Sequence, residues 1–182
     1  MIITSQTVAL RDGRACLLRS PTRRDARPLL DFLAQTAGET SYLLREPGEV
    51  GYTLAQERDF IQTCNTAENR LMVLAEMDGT IAANASFWPV GAFARVRHRC
   101  EMGVVVRRPY WHLGVASVLL KQLFEGATAC GYRQMELTAV ATNARALALY
   151  EHLGFQRAGA VPNGIRYADG SCADEIIMVK QL

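Results

Sequence analysis

The residues best able to do chemistry lie where an apolar strand, MGVVV (102–106), is followed by a run that forms a helix. A helix N-terminus leaves about four backbone N–H groups without partners and carries roughly half a positive charge. A phosphate group docks at such an end if small side chains let the backbone come close. Gly114, Ala116 and Ser117 are small, so residues 113–117 predict either an amide cradle for a pyrophosphate or a plain helix cap.

A carboxylate stands at the start of the same strand, at Glu101. Burying an ionised side chain in an apolar strand costs free energy unless the group has a partner or a role. Glu101 is therefore predicted to be either a functional carboxylate or a surface glutamate that pairs with an arginine such as Arg99.

The elements that must position these residues mix strand and helix patterns. Two Asp-Gly pairs, at 12–13 and 78–79, predict β-hairpins. Thr53 and Gln56 have the spacing of a capping box, and Asn143 is a predicted helix cap. The predicted helices cover residues 20–38, 53–64, 115–131 and 142–154, and the main predicted strands cover 71–76, 80–88, 94–106, 132–140, 155–161 and 174–182.

The first two helices carry specific expectations. Thr22 and Gly38 are predicted to begin and end the first helix. In the second helix, Leu54, Phe60 and Ile61 are predicted to form the buried face.

Length and element order together predict the fold class. The chain has 182 residues, 49% of them apolar and 21% charged, which suits one globular domain with a sizeable core. Strands and helices alternate irregularly, with one strand–helix–strand unit in the middle. We therefore expect a single α/β domain, residues 1–182, around a mixed, largely antiparallel sheet with flanking helices.

Charge and cysteine content limit the function classes. A formal net charge of +2 does not point to a nucleic-acid binder, and no apolar run approaches the ~20 residues of a membrane helix. The N-terminus lacks a signal-peptide pattern, and five scattered cysteines form no metal-ligand cluster. These features predict free thiols, a cytoplasmic location and no metal, and they are compatible with a homodimer.

A local group of arginines is an exception to the even charge distribution. It predicts either a basic rim for an anionic ligand or a set of solvated strand residues. Its members are Arg95, Arg97, Arg99, Arg107 and Arg108.

Residues 111–116, Trp-His-Leu-Gly-Val-Ala, resemble the pyrophosphate-binding motif of the GCN5-related N-acetyltransferase (GNAT) family, Gln/Arg-x-x-Gly-x-Gly/Ala. Gly114 and Ala116 match the motif. Trp111 stands where the family usually has Gln or Arg, so backbone amides remain the main phosphate ligands. The indole is free to pack beside the cofactor or against the neighbouring strand.

A second segment, residues 142–155, resembles the family signature Asn-x-x-Ala-x-x-x-Tyr-x-x-x-Gly-Phe. Its matching residues are Asn143, Ala146, Tyr150, Gly154 and Phe155. The resemblance covers residues 71–182, the expected cofactor-binding core, and leaves residues 1–70 as a variable acceptor-side part. The C-terminal segment is similar to the bacterial branch that acetylates ribosomal-protein N-termini, amino acids or small amines.

The resemblance implies that acetyl-CoA binds in a gap between two splayed central strands, 102–106 and 134–140. The pantetheine arm would pair with the exposed strand edge as an extra strand, and the pyrophosphate would lie on the helix N-terminus. The implied cofactor-binding residues are Val104, Val105, Val106, Trp111, His112, Leu113, Gly114, Val115, Ala116, Ser117 and Asn143.

The resemblance also implies two catalytic roles. Tyr150 would protonate the departing CoA thiolate, and Glu101 would take the proton of the attacking amine. The alternatives are that Tyr150 only packs its ring and that Glu101 is a paired surface residue. His98 and His112 are weaker candidates for the base.

Acceptor recognition is assigned to the loop at residues 38–52 and to the neighbouring strand. Charge and position suggest these side chains for a cationic amine or a carboxylate, although solvated loop charges or an outer strand face explain them equally well. The candidates are Glu39, Tyr42, Arg45, Glu46, Asn84, Ser86 and Trp88.

The sequence thus predicts an enzyme, an acetyl-CoA-dependent N-acetyltransferase that transfers acetyl by direct attack of a primary amine. The amine belongs to a small molecule, an amino acid or a protein N-terminus. The alternative is a catalytically silent module that binds acyl-CoA as a sensor or partner. Transfer of a longer acyl chain also stays open, because gap width cannot be read from the residues.

Overall fold

The computed structural model describes residues 1–49 and 51–182. Its strands are β1 (Gln6–Ala9), β2 (Ala15–Arg19), β3 (Leu71–Met77), β4 (Thr80–Pro89), β5 (Arg99–Val106), β6 (Gln134–Val140), β7 (Gln156–Arg166) and β8 (Cys172–Gln181). Its helices are α1 (Ala26–Glu39), α2 (Leu54–Thr66), α3 (Val115–Ala129) and α4 (Ala144–His152). The strands form one sheet in the order β1-β2-β3-β4-β5-β6-β8-β7. Within the described ranges, no helix has the length and apolar character needed to span a membrane.

The centre of the sheet contains its one parallel pair, β5 with β6, among the pairs the structure describes. Its paired residues run from Arg99 opposite Gln134 to Glu101 opposite Glu136, and the two strands then separate. Both strands continue beyond that point, β5 to Val106 and β6 to Val140. The expected α/β fold with a splayed central pair is thus confirmed.

Helices cover both faces of this sheet because neighbouring strand residues point to opposite sides. On one face, Met72 and Leu74 of β3 pack with α1 and α2 in a core that includes Leu29 and Ile61. On the other face, α3 and α4 bury the larger core. Its largest fully buried side chains include Phe87, Leu71, Leu119, Leu120, Leu123, Met135 and Leu137.

Local signals fix several element boundaries as the sequence predicts. Both Asp-Gly turns form, and Gly13 and Gly79 adopt left-handed φ values of 83° and 71°. The Thr53 side chain accepts a hydrogen bond from the Gln56 N–H at 3.2 Å and completes the capping box of α2. Asn143 caps α4 by accepting the Ala146 N–H at 3.2 Å.

Several predicted boundaries are wrong. Thr22 is the N-cap, as predicted, but of a short 3-10 turn at Arg23–Asp25 that leads into α1, and α1 continues one residue past Gly38. The carboxylate of that last residue, Glu39, accepts the Arg108 N–H at 2.6 Å. The predicted strand 94–106 is shorter, since residues 91–98 form turns, whereas β7 and β8 are longer and leave only residues 167–171 between them.

Phe60 is a further correction, because it is 45% exposed and lines the large cleft described below. The sheet-facing positions of α2 are instead Glu57, Ile61 and Cys64, all buried. Spacing along the helix gives the angle of a side chain but not whether a core or a cleft lies opposite it.

Close packing of α3 on the sheet depends on Gly126. A Cβ at this position would lie 2.7 Å from Leu71 Cδ2 and 3.3 Å from Phe87 Cε1. We expect Gly126→Val to lower the free energy of unfolding by about 1–3 kcal/mol, because the helix must move off the sheet. Urea denaturation measures this change.

Gly38→Ala is the matched control, since Gly38 also lies in a helix but its Cβ would meet nothing within 4 Å. This variant should be unchanged or more stable by about 0.5–1 kcal/mol. Equal stability of Gly126→Val and the wild-type chain would show that α3 is not packed as described.

Candidate active site

A cleft of about 1140 Å³ opens where β5 and β6 separate. It extends from the N-terminus of α3 to the loop between α1 and α2. Residues 104–106 of β5 and 138–140 of β6 line it from the two sides. Within the described chain no strand pairs with these facing edges. The Val106 carbonyl accepts Trp111 Nε1 and the Val140 carbonyl accepts the Asn143 N–H, so an extended ligand would pair with the backbone groups before them.

The N-terminus of α3 forms one end of this cleft. Gly114 is the N-cap with φ 89°, and His112 has φ 67°. A Cβ on Gly114 would make only ordinary contact, 3.6 Å from Arg11 Cγ, so the backbone conformation rather than crowding calls for glycine. Val115, Ala116 and Ser117 follow it along the cleft, and the N–H groups of a first helical turn have no partner within the helix.

Leu113 belongs to the predicted cofactor-binding set, but its side chain does not face the cleft. Its side chain packs against the larger core and is absent from the cleft lining. Its carbonyl accepts the Arg11 N–H at 3.4 Å, which ties the β1–β2 hairpin to this end of the cleft. His112, by contrast, does line the cleft.

Trp111 joins three elements beside the cradle. Its indole Nε1 donates to the Val106 carbonyl at 2.8 Å, so the ring packs at the end of β5. The Arg145 guanidinium of α4 lies 4.8 Å from the ring centroid, a cation–π contact. Trp111 therefore lacks the charge or amide of the usual Gln or Arg, but its ring contacts an arginine.

Arg11 is a cradle residue that sequence reasoning missed. It belongs to the turn between β1 and β2, about one hundred residues from Gly114, and its side chain lies against that glycine. It also lines the cleft. No motif marks it, because only the sheet order brings the N-terminal hairpin beside α3.

Tyr150 lies in the wall of the cleft opposite the cradle helix. Its side chain is buried, 8% exposed, and its ring packs edge-on against Phe155 with centroids 5.8 Å apart. Burial raises the pKa of the Tyr150 hydroxyl to about 12. Asn143 also lines the cleft, but its side-chain oxygen is engaged as the cap of α4.

Glu101 occupies the vertex of the splay, at the last paired position of β5 and β6. It accepts a hydrogen bond from Trp88 Nε1 at 3.3 Å and lines the cleft. Arg99 is not its partner, because the Arg99 guanidinium makes a two-point ion pair with Glu136, with Nη2 to Oε2 at 2.7 Å. The paired-surface interpretation of Glu101 in that form is therefore wrong.

The floor of the cleft is made by β4 and β5. Asn84, Ser86 and Trp88 share the face of Glu101 by strand register and all line the cleft, so they are not an outer, solvated face. The Asn84 Oδ1 atom is buried and has no hydrogen-bond partner among the described residues. Gly103 leaves room for the Trp88 ring, whose Cη2 lies 3.5 Å from the position of a Cβ.

The acceptor candidates in and beside the loop between α1 and α2 fall into two groups, those that line the cleft and those that do not. Tyr42 and Arg45 line the cleft, and Arg45 stacks over the Tyr52 ring at 5.3 Å. Glu39 is engaged instead with Arg107, at 3.6 Å, and with the Arg108 N–H. Glu46 is exposed outside the cleft lining, and residue 50 of this loop lies outside the described residues.

The remaining charged and sulfur groups are dispersed. Arg95 and Arg97 are exposed before β5, whereas Arg107 lies at its far end, so the five arginines form no common rim. His98 does not line the cleft.

Burial raises the pKa of the Cys100 thiol to about 12, and all five cysteines are free. Among residues 1–49 and 51–182, no three His, Cys, Asp or Glu side chains converge as metal ligands.

Comparison with known proteins agrees with this architecture. The chain is similar to a GNAT-family acetyltransferase from Streptococcus pneumoniae, with 28% identity, a TM-score of 0.88, and coverage of 92% of this chain and 99% of that one. It is also similar to yncA from Salmonella typhimurium, solved with its cofactor acetyl-CoA, at 20% identity, TM-score 0.79 and coverage of 91% and 92%.

A third similar structure is a ribosomal-protein-alanine N-acetyltransferase from Brucella melitensis, at 24% identity, TM-score 0.79 and coverage of 91% and 99%. No curated protein sequence matches this chain.

The described chain thus has an open gap between two parallel strands beside a helix N-terminus. Residues 38–155, more than half of the chain, match the model of the acetyltransferase (GNAT) family. The chain therefore belongs to the GNAT family and is an acetyltransferase, and membership supports acetyl-CoA as its cosubstrate.

The position of Arg11 gives a prediction for cofactor affinity. We expect Arg11→Ala to raise the KM for acetyl-CoA about fivefold, because a partly exposed charge beside an anion contributes about 1 kcal/mol. The difference should shrink as ionic strength increases. Steady-state kinetics at two salt concentrations measure both effects.

Arg14→Ala serves as the control, since Arg14 lies in the same hairpin but pairs with Asp12 at 2.6 Å. Its KM for acetyl-CoA should match that of the wild-type protein. If the two variants behave alike, Arg11 does not contact the cofactor.

Proposed function

We propose that this acetyltransferase transfers the acetyl group of acetyl-CoA to a primary amine by direct attack within the splay of β5 and β6. The single observation that carries the proposal is the V-shaped gap, which has Glu101 at its vertex and opens into the cleft that Tyr150 lines. The amine belongs to a small molecule, an amino acid or a protein N-terminus.

The cofactor would bind along β5 and onto α3. The pantetheine amides would pair with backbone groups around Val104, Val105 and Val106, as an added strand does. The pyrophosphate would lie at the amides of residues 114–117, with Arg11 and Arg145 supplying positive charge nearby. This placement makes residues 71–182 the cofactor-binding core and leaves residues 1–70 mainly on the acceptor side.

The proposed reaction needs one base and one acid. Glu101 takes a proton from the ammonium form of the acceptor, and the free amine forms a bond to the thioester carbon. As the carbon–sulfur bond breaks, the electron pair leaves with sulfur, and the Tyr150 hydroxyl donates its proton to the CoA thiolate. The acylated nitrogen then loses its second proton, which replaces the one that Tyr150 gave up, and Glu101 releases its proton to solvent. A backbone N–H in the gap polarises the carbonyl while negative charge builds on its oxygen.

Burial keeps the Tyr150 hydroxyl protonated, because its pKa is raised to about 12. The same shift makes the phenol a weaker acid, so it donates only to a strong base beside it. A CoA thiolate released into the same buried site is such a base, because desolvation also raises the proton affinity of the anionic sulfur. No protein group among residues 1–49 and 51–182 is hydrogen-bonded to the Tyr150 hydroxyl, so it can donate to a ligand.

A silent acyl-CoA-binding module is the competing function. It would retain the strand gap and the helix N-terminus but would not need an unpartnered phenol and a carboxylate in one cleft. Tyr150 and Glu101 both line that cleft, which favours the enzyme.

Replacement of Tyr150 tests the acid. We expect Tyr150→Phe to lower kcat by about 10²–10³-fold with little change in the Kd of acetyl-CoA, because proton transfer to the leaving thiolate is lost. The measurement is CoA thiol release with pooled amino acids, amines and N-terminal peptides, alongside calorimetry of acetyl-CoA. Tyr167→Phe, outside the cleft, is the control.

Thiol release that needs an acceptor pool and is lost in Tyr150→Phe would support both the enzyme and the acid. Acetyl-CoA binding without release in any pool would instead favour the silent module. If Tyr150→Phe turned over at the wild-type rate, the thiolate would be protonated by water or by another residue and not by Tyr150.

Replacement of Glu101 tests the base. We expect Glu101→Gln to reduce kcat/KM most strongly at low pH, where an amine with a pKa of ~8 is mostly protonated and needs help to lose its proton. At high pH the variant should approach wild-type rates. A pH profile parallel to the wild-type profile would remove Glu101 from the mechanism.

A further inference from the structure

Glu57 is a buried carboxylate that the proposed reaction does not use. It lies in the first turn of α2, is 4% exposed, and lines the large cleft. Its side chain makes no hydrogen bond or ion pair with any group in residues 1–49 and 51–182. Burying an unpaired carboxylate is unfavourable, so the fold has no reason of its own to keep a charge here.

The surroundings of Glu57 offer weak compensation only. The N-terminal end of α2 favours negative charge by a small amount. Arg45 is the cation that acts on Glu57, but its guanidinium stacks on Tyr52 and forms no ion pair with the carboxylate. Cys64 faces Glu57 from the same helix, and Arg70 lies near Cys64. Burial raises the pKa of Glu57, and Arg45 opposes that shift.

Glu57 is separated from the reacting centre. Helix α2 packs on β3, and β3 lies two strands from β5, which carries Glu101. Strand β4 lies between β3 and β5, and Glu101 is not among the charges that act on Glu57. Glu57 therefore belongs to a different part of the cleft from the vertex.

Aromatic rings complete the environment of a cation at this end of the cleft. Tyr42, Tyr52 and Phe60 line it and are 39%, 48% and 45% exposed. Ring faces attract ammonium groups, and a desolvated carboxylate binds one by a charge-assisted hydrogen bond. The cleft lining thus includes three carboxylates, Glu101 at the vertex, Glu57 at the acceptor end and Glu175 of β8.

We propose that Glu57 binds a second ammonium group of the acceptor, so that the enzyme prefers small di- or polyamines to monoamines. This inference rests on the proposed acetyl transfer, which delivers the other amine to Glu101. The second ammonium restores the partner that the buried Glu57 carboxylate lacks in the protein alone.

The test compares 1,5-diaminopentane with pentylamine, which has the same chain length and one charge fewer. For the wild-type protein we expect a KM about 10–100-fold lower for the diamine. Glu57→Gln should remove most of this preference by raising the KM of the diamine while leaving kcat and the monoamine KM nearly unchanged. Glu125→Gln, an exposed helical glutamate outside the cleft, should behave as the wild-type protein.

Two further measurements separate this inference from the proposed reaction and from a structural role. Calorimetry measures the Kd of 1,5-diaminopentane for the CoA-saturated protein, in which no acetyl transfer takes place. This binding should be lost in Glu57→Gln. The melting temperature of Glu57→Gln should be equal to or above that of the wild-type protein, because an unpaired buried charge is removed.

Equal diamine affinity in Glu57→Gln and the wild-type protein, or no diamine binding to the wild-type protein, would overturn the ammonium site. A lower melting temperature in Glu57→Gln, or a loss of kcat with both amines, would also overturn it by showing a structural or catalytic role. Diamine binding that depends on Glu57, with no acetyl transfer to any amine, would support this site and refute the proposed reaction.

Discussion

The separation of β5 from β6 after Glu101 and Glu136 is the constraint on which the rest of the site depends. Each strand is paired on its outer side along nearly its whole length, β5 with β4 and β6 with β8. The Arg99–Glu136 ion pair closes the narrow end of the gap, and the Trp111–Val106 hydrogen bond fixes the wide end of β5. The gap is therefore held open by the outer ladders, and within the described residues no strand pairs with its inner edges.

Positive charge at the cradle is assembled from separate parts of the chain. The family position that usually carries Gln or Arg holds Trp111, which has no charge. Its ring instead binds Arg145 of α4, while Arg11 approaches Gly114 from the β1–β2 turn. A helix N-terminus attracts anions only over a short range, so cations from neighbouring elements extend that attraction without changing the turn at Gly114.

Some polar groups of the cleft lack partners that other buried polar groups have, although Asn65 Oδ1 and Arg107 Nε, outside the cleft lining, also make no hydrogen bond. Asp25 shows the ordinary case: burial opposes its ionisation, yet hydrogen bonds from Arg19 and Thr22 hold the pKa of its carboxyl below the usual value. Glu57 and the Asn84 Oδ1 atom lack such partners in the described chain. Stability is commonly reduced in this way where a site must leave groups free for a ligand.

The sequence alone determined features that depend on neighbouring residues. Turn pairs, the Thr53 and Asn143 caps, the apolar face of α3 and the two family motifs all act within a few residues, so the α/β class and the family could be read directly. Tertiary structure decided what depends on distant contacts. Glu39 binds the Arg108 N–H instead of an acceptor amine, and Phe60 faces a cleft rather than a core. Arg11 and Glu57 lie in the site because of sheet order and helix packing, and no local pattern encodes either.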